Sequence, residues 1–359
     1  MHAILMERPE PRAVRFHEDL PVPEPGPGEV RIRVERAAIC GTDRHIYHWD
    51  ESIRAEMAPP VVIGHEFCGT LDALGTGVEG WSPGDYVSAE MHIVCNRCRA
   101  CRTGNHHVCE RTRIAGLGRD GAFAEWVVVP ASNLVRLDRE TVPPEIGAFL
   151  DALGNAVHTV QAASGVRGRH VLVSGYGAIG AMAAAVCEFE GPASLVITEV
   201  QAGHLERARR WAQGLAGGVP VHILNPLEGD RSDMIQRIRG LTEGGPDVVL
   251  EMSGAASAIH DGLEALYPAG EMIHLGIPAR NDLVIPDFSR RVIFKGLTLR
   301  GVVGRRMFAT WERMLELLRS GLDLHHIVTH RLPLAAFEEG IRLLDAGEAH
   351  KVVLDPNST

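Results

Sequence analysis

The chain has 359 residues, 45% hydrophobic and 23% charged, an ordinary globular composition that excludes a disordered or fibrous protein. Its 36 lysines and arginines against 46 aspartates and glutamates leave a net charge of -10, which gives no basic footprint for nucleic acid. The length suits two domains with substantial cores, and the longest apolar runs, such as Ala181 to Val186, are far too short to span a bilayer.

In chain order, Met1 to Pro9 lack the basic start, apolar core and small-residue cleavage site of a secretory signal, so a cytoplasmic protein with reduced thiols and no membrane partner is expected. Over roughly the first 150 residues, short apolar runs at Val30 to Val34, Val61 to Ile63, Tyr86 to Ser88 and Trp126 to Val129 are separated by Gly and Pro, which predicts strands and turns. Two short motifs within this region carry zinc donors: Cys40-Gly41-Thr42-Asp43-Arg44-His45 and Gly64-His65-Glu66. Taken singly, each also reads as a core thiol or a hydrogen-bonded histidine. A third donor could be Asp151, Glu66 or another histidine, and spacing does not choose among them.

The strongest metal signal follows. Cys95, Cys98, Cys101 and Cys109 give C-x2-C-x2-C-x7-C, a spacing that folds a loop, about residues 93–111, around one tetrahedral Zn2+. Four thiolates leave no open position for substrate, so this zinc is structural, and His106 and His107 inside the lobe are not needed as ligands. Cys68 and Cys187 sit in apolar surroundings and read as core residues.

From about His158 the pattern changes to apolar runs alternating with helical stretches. Strands are predicted at Val171 to Ser174, Leu195 to Thr198, Val221 to Leu224, Val248 to Met252, Met272 to Leu275 and Leu297 to Val303, and helices at Ala181 to Phe189 and Leu205 to Ala216. Six strands suit a doubly wound dinucleotide fold. Gly175-Tyr176-Gly177-Ala178-Ile179-Gly180 matches G-x-G-x-x-G between the first strand and its helix, the context that makes the motif specific. Glu199, closing the second strand, is placed to bind ribose hydroxyls and to repel a 2'-phosphate, which points to NAD, with His204 and Arg207 as basic neighbours. Arg207, Arg209 and Arg210 share their segment with Glu206 and read as a solvated helix face. The remainder predicts a helix near Trp311 to Ser320, a turn at Gly321, a helix near Phe337 to Ala346 and a strand at Lys351 to Leu354.

In order and separation, the Cys40 and His65 motifs, the cysteine lobe and the Gly175 loop resemble the zinc-dependent medium-chain alcohol dehydrogenases over essentially the whole chain. Within that superfamily the chain is most similar to the L-threonine 3-dehydrogenase branch, through Ile39 to Asp43 with His45-Ile46-Tyr47 and Trp49-Asp50, Gly154 to Thr159, Glu251-Met252-Ser253-Gly254, Ile293 to Leu297, Gly304-Arg305 with Met307-Phe308, and Ser320 to Asp323. The resemblance implies an α/β protein: a GroES-like β catalytic domain over 1–155, a Rossmann NAD-binding domain over 156–296, and a last Rossmann strand with a return to the catalytic domain over 297–359, assembled as a homotetramer. It makes Cys40 and His65 catalytic zinc ligands, Glu66 a ligand or exchanging carboxylate, Asp151 a further acid at the metal, Thr42 and His45 a proton relay, and His92 a pocket residue. Ile179, Glu199, Leu275, Ile277, Val302 and Val303 match dinucleotide contacts.

The chain departs from the family at Asp151-Ala152-Leu153-Gly154, where Pro-Phe commonly follows the acid, at His204, which replaces an arginine on the adenosine side, and at Arg306. The implied reaction is oxidation of a small secondary alcohol by NAD+, with one catalytic and one structural Zn2+ per chain. For L-threonine the product is 2-amino-3-oxobutanoate, and Glu66, His92 and Arg305 are candidate partners for its charged groups. The rivals are a dehydrogenase of polyols, cyclitols or other amino alcohols, and a non-catalytic NAD-binding protein, which the full set Cys40, Thr42, His45, His65 and Glu66 disfavours.

Overall fold

The ten-residue strand Glu29–Ala38 organises the first part of the molecule, because Val30, Ile32 and Val34 alternate into the core with the two-residue period of a half-buried strand. It is the hub of a seven-stranded sheet in the computed structural model, which describes residues 1–278 and 282–358. One of its edges pairs with Phe67–Leu74 and then Tyr86–Ala89, and the other carries Trp126–Pro130 and, at Ala37 and Ala38, the terminal strand Lys351–Asp355. The last strand of the chain is thereby brought beside the end of Glu29–Ala38, just where the Cys40 motif begins. The sequence pattern of strands and turns passes over one element that matters here, the helix α1 (Gly41–His48).

This first unit comprises Met1–Ala152, Arg305–Arg319 and Val328–Thr359, and the second comprises Leu153–Gly304 and Ser320–Ile327. The division falls inside the helix Leu150–Ala162, close to the expected boundary at 155. Residues 320–327 differ from the expected return, since they belong to the second unit. Packing explains this: the His326 ring stacks on Trp211, a residue of that unit, with centroids 5.7 Å apart.

The second unit is a six-stranded sheet of β1 (His170–Ser174), β2 (Ser194–Thr198), β3 (Val221–Leu224), β4 (Val248–Glu251), β5 (Glu271–His274) and β6 (Thr298–Gly301). All neighbours are parallel and the spatial order is 3-2-1-4-5-6, the doubly wound dinucleotide topology. Strands β1, β2 and β4 are buried along nearly their whole length, as a parallel sheet covered by helices requires. Among the described residues no helix is long and apolar enough to cross a membrane.

Candidate active site

Cys40 is the N-cap of α1, and its backbone N–H donates to Asp43 Oδ2 at 2.8 Å, so the first turn folds back over the cap. His65 and Glu66 follow Gly64, whose φ of +93° lies in the left-handed region; a Cβ there would stand 2.2 Å from the Phe123 ring. Only glycine fits, and the turn it permits delivers both side chains to Cys40. Ligand atoms of Cys40, His65 and Glu66 all lie within 4.8 Å of one another.

The surroundings of this triad were not foreseen. Asp43 is fully buried, with Oδ1 3.6 Å from His65 Nδ1, and burial pushes its pKa up to about 6 against the pull of His65. Burial alone would lower the pKa of His65, but Asp43 and Cys40 outweigh it and lift it to about 10. The local field therefore favours positive charge at the imidazole, which a divalent cation supplies in place of a proton. Glu66 is buried and ion-paired through Oε2 to Lys351, whose Nζ also donates to Ile39 O at 3.1 Å; Glu66 Oε1 is buried without a hydrogen-bond partner. One thiol, one imidazole and one carboxylate oxygen left unsatisfied are a fitting donor set for zinc. Thr42 Oγ1 lies 3.9 Å from Cys40 Sγ. His45, one helical turn further along α1, holds Asp50 Oδ2 at 2.6 Å through Nδ1.

Asp151 and Arg305 stand in a second buried cluster. The Arg305 guanidinium, 1% exposed, donates to Glu90 through Nε (2.8 Å) and Nη2 (2.6 Å) and to the Asp151 carbonyl through Nη1 (3.2 Å). Asp151 Oδ1 is at ion-pair distance from Nη2, 2.7 Å, though off the N–H axis. Glu90 also accepts from the Trp311 indole at 2.9 Å and stands 2.7 Å from His92 Nδ1. Burial would raise its pKa, but Arg305 and His92 hold the carboxyl well below the usual glutamate range. Asp151 thus pairs with Arg305 while still acting electrostatically on His65, and the Arg305 donors are met by the chain's own carboxyl and carbonyl oxygens and by His92, whose Nδ1 is 2.6 Å from Nη2. His92 retains partial exposure. Although Glu90, His92 and Asp151 are close enough to share a cation, Arg305 supplies the positive charge there.

In the cysteine lobe the four sulfurs also converge within 4.8 Å, with Sγ–Sγ separations of 3.5, 3.6 and 3.9 Å. A tetrahedron of Zn–S bonds has edges of about 3.8 Å, so the donors fit one zinc. All seven cysteines are free thiols. Backbone N–H groups of Cys98 and Arg97 lower the Cys95 pKa to about 6, favouring the thiolate, with Arg97 the larger effect.

In the second unit, β1 turns at Gly175 into α2 (Ala178–Glu190), with Gly177 as N-cap. A Cβ at Gly180 would stand 2.1 Å from Gly175 O, so this glycine lets the helix sit against the turn, whereas one at Gly177 would meet no protein atom within 4 Å. Open space in front of helix N–H groups is what a pyrophosphate needs. Glu199 is 7% exposed; Oε2 accepts from Tyr176 N at 2.7 Å and Oε1 from the N–H groups of Val200 and Gln201. Burial opposes ionisation, but His204, its Nδ1 3.5 Å away, and these N–H groups bring the pKa down to about 2. Gly175 and Glu199 border a cavity of about 240 Å³ that runs on past Leu227, Arg231, Ser253 and Ala255. Ile179 is half-buried in the first turn of α2, while Leu275, Ile277, Val302 and Val303 follow the carboxyl ends of β5 and β6, with Ile277 and Val303 exposed. That end of a doubly wound sheet is where ligands bind.

The residues missed in the sequence are Asp43, Glu90, Trp311 and Lys351. The available signal was weak: Glu90 directly follows the apolar strand Tyr86–Ala89, and Lys351 opens the otherwise apolar strand Lys351–Asp355.

Residues 26–139 match the alcohol dehydrogenase GroES-like domain and residues 178–320 the zinc-binding dehydrogenase model. The L-threonine 3-dehydrogenase of Caldanaerobacter subterraneus subsp. tengcongensis is 44% identical over 93% of this chain and 93% of its own length. That of Pyrococcus horikoshii is 41% identical over 98% of both. Among solved structures, alcohol dehydrogenase TADH from Thermus sp. ATN1 superposes with a TM-score of 0.85 at 32% identity, covering 99% of each chain. A putative zinc-binding dehydrogenase from Sinorhizobium meliloti 1021, bound to NADP, gives 0.87 at 27% identity with the same coverage.

Proposed function

This chain belongs to the zinc-binding alcohol dehydrogenase family, and we propose that it oxidises the secondary hydroxyl of L-threonine to 2-amino-3-oxobutanoate with NAD+. The observation that carries the reading is the convergence of Cys40, His65 and a Glu66 oxygen without a partner, in a chain more than 40% identical to enzymes named L-threonine 3-dehydrogenase over nearly its full length.

Cys40, His65 and Glu66 would hold the catalytic zinc, which supplies Lewis acidity that lowers the pKa of the substrate hydroxyl. NAD+ supplies the hydride acceptor. The chain's own residues do the rest. Lys351 fixes Glu66 beside Cys40 and His65. Thr42 takes the hydroxyl proton as its own proton passes to His45, whose half-exposed ring can hand it to solvent. Glu90, clamped by Arg305 and Trp311, orients His92 toward substrate. The carboxyl groups of Asp43, Glu66, Glu90 and Asp151 outnumber the permanent cations Arg305 and Lys351, with His65 beside Asp43 and His92 beside Glu90, a carboxyl-rich setting that suits a divalent cation and a substrate bearing an ammonium group. This favours an amino alcohol over a neutral polyol or cyclitol, and assigns Arg305 to holding Glu90 and Asp151 instead of substrate.

Glu199, oriented by the N–H groups of Tyr176, Val200 and Gln201, would receive the ribose hydroxyls and disfavour a 2'-phosphate. Gly175, Gly177 and Gly180 shape the pyrophosphate turn. Ile179, Leu275, Ile277, Val302 and Val303 complete the dinucleotide surface. The Cys95 to Cys109 lobe would hold the structural zinc. The protein acts in the cytoplasm, a compartment that suits seven free thiols. A homotetramer is part of the same reading: every residue of the edge strand β6 is exposed, as are the neighbouring Ile293 and Phe294, an open edge of the kind a second copy covers. Light scattering should then give about four times the 39.0 kDa chain mass.

The deciding experiment is NADH production by the zinc-loaded protein with L-threonine, other β-hydroxy amino acids, polyols and cyclitols, repeated with NADP+. Turnover of L-threonine with strong preference for NAD+ is expected. Efficient turnover of a cyclitol with none of L-threonine would overturn the substrate assignment.

A further inference from the structure

We infer that Asp50 is the positioning residue of the proton exit, holding His45 in the tautomer that accepts from Thr42. The inference rests on the relay proposed above and adds to it a group outside the metal triad.

The local structure begins with a sequence oddity. Helix α1 ends on Trp49 at φ 56°, ψ 48°, a left-handed conformation that bulky side chains rarely adopt. Several contacts hold it there. Trp49 N donates to Ile46 O at 3.0 Å, Asp50 N to His45 O at 3.0 Å, and the Arg54 guanidinium donates to Trp49 O at 3.1 and 3.0 Å, while the indole is packed into the core. The consequence of the turn is that the Asp50 carboxylate swings back to His45, five residues earlier, with Oδ2 2.6 Å from Nδ1.

The other charged side chains of α1 are committed elsewhere: Arg44 and His48 both bind Asp345, and Asp43 is buried against His65. His45 and Asp50 are therefore left to each other. Their side chains are 56% and 45% exposed, and an ion pair so open to water adds little to stability. What the contact does decide is the state of the ring. A neutral imidazole donating from Nδ1 carries its lone pair on Nε2, so the nitrogen free to accept is fixed.

The proton balance follows. The substrate hydroxyl O–H breaks and its proton goes to Thr42 Oγ1, as Thr42's own proton forms a bond to His45 Nε2. The imidazolium is balanced by ionised Asp50, and a water or buffer base then removes the Nε2 proton, returning the ring to its starting tautomer. No electrons move in this relay; the electron pair leaves with hydride to NAD+.

The test uses zinc-loaded full-length protein carrying Asp50→Asn, Asp50→Glu or His45→Ala, with kcat, KM, the solvent deuterium isotope effect on kcat, zinc content and thermal unfolding measured for each. Asp50→Asn should lower kcat about tenfold and raise the solvent isotope effect, leaving KM for L-threonine and NAD+, zinc content and melting temperature near wild type, and Asp50→Glu should restore most of the rate. His45→Ala should be slower still and recover with added imidazole. If His45→Ala is slow and rescued by imidazole while Asp50→Asn keeps the wild-type rate and isotope effect, the relay stands and the role of Asp50 is refuted. A slow Asp50→Asn with an unchanged isotope effect and no recovery in Asp50→Glu refutes it as well, as a structural defect. Full activity of His45→Ala removes the relay itself.

Discussion

Arg305→Met tests whether Arg305 serves the fold or the substrate. Methionine approximates the volume of the arginine stem but leaves Glu90 and Asp151 buried without their cation. Breaking a buried pair by removing one partner costs about 3–5 kcal/mol, and at about 2–4 °C per kcal/mol the melting temperature should fall by about 10 °C. The pH dependence carries the sign. In the wild type the folded Glu90 pKa lies below its unfolded value, so its contribution is present above pH of about 4.3 and is lost as pH falls through the folded value. In the variant only His92 and the Trp311 indole still oppose burial, so the Glu90 pKa rises, and the destabilisation is greatest at neutral pH and narrows as Glu90 becomes protonated. Calorimetry of zinc-loaded wild type and variant between pH 7.5 and 5 reads both effects. A second substitution, Glu90→Gln, should recover part of the loss because one stranded charge is gone. A variant that melts with the wild type but has a raised KM for L-threonine would refute this reasoning and return Arg305 to the substrate pocket.

Gly180→Ala drives a Cβ into Gly175 O and should weaken NADH binding at least tenfold while destabilising the second unit, as read by fluorescence titration and unfolding. Gly177→Ala, whose Cβ meets no protein atom, should keep the melting temperature and lose affinity for NADH alone. Cys98→Ser should remove one zinc per chain by elemental analysis and lower the melting temperature, with KM for L-threonine unchanged; a full complement of two zincs would contradict the structural site. His326 is held neutral by burial, with its pKa lowered to about 4 despite Asp323. Because the folded value lies below the unfolded value of about 6.5, stability should decline from pH 6.5 to 4 by about 3 kcal/mol more in wild type than in His326→Phe, which keeps a ring for Trp211. Parallel stability profiles for the two proteins would contradict that burial.

Where a function is built from neighbours in sequence, it was legible. The cysteine quartet lies within one short loop, so its spacing already brings the sulfurs together; the Gly175 turn is local too, and β1 and β2 place Glu199 by the ordinary geometry of a parallel pair. The alternation of apolar runs and helical stretches was enough for the doubly wound sheet, because a buried parallel strand and its crossover helix each carry their own pattern. Cys40 and His65 needed the resemblance, since each alone has a bland reading.

The balance of buried charge was not legible. Glu90 pairs with Arg305 and Trp311, 215 and 221 residues away, and Glu66 pairs with Lys351, 285 residues away. No local pattern fixes such partners, for desolvation and Coulomb attraction are decided only when the chain closes its sheet and these side chains leave water together. The sequence by itself therefore determined the doubly wound sheet, the cysteine lobe and the dinucleotide turn, because each is carried by a local pattern. Only the tertiary structure decided that Glu66 pairs with Lys351 while Glu90 and Asp151 pair with Arg305, since those partners meet only when the distant strands close.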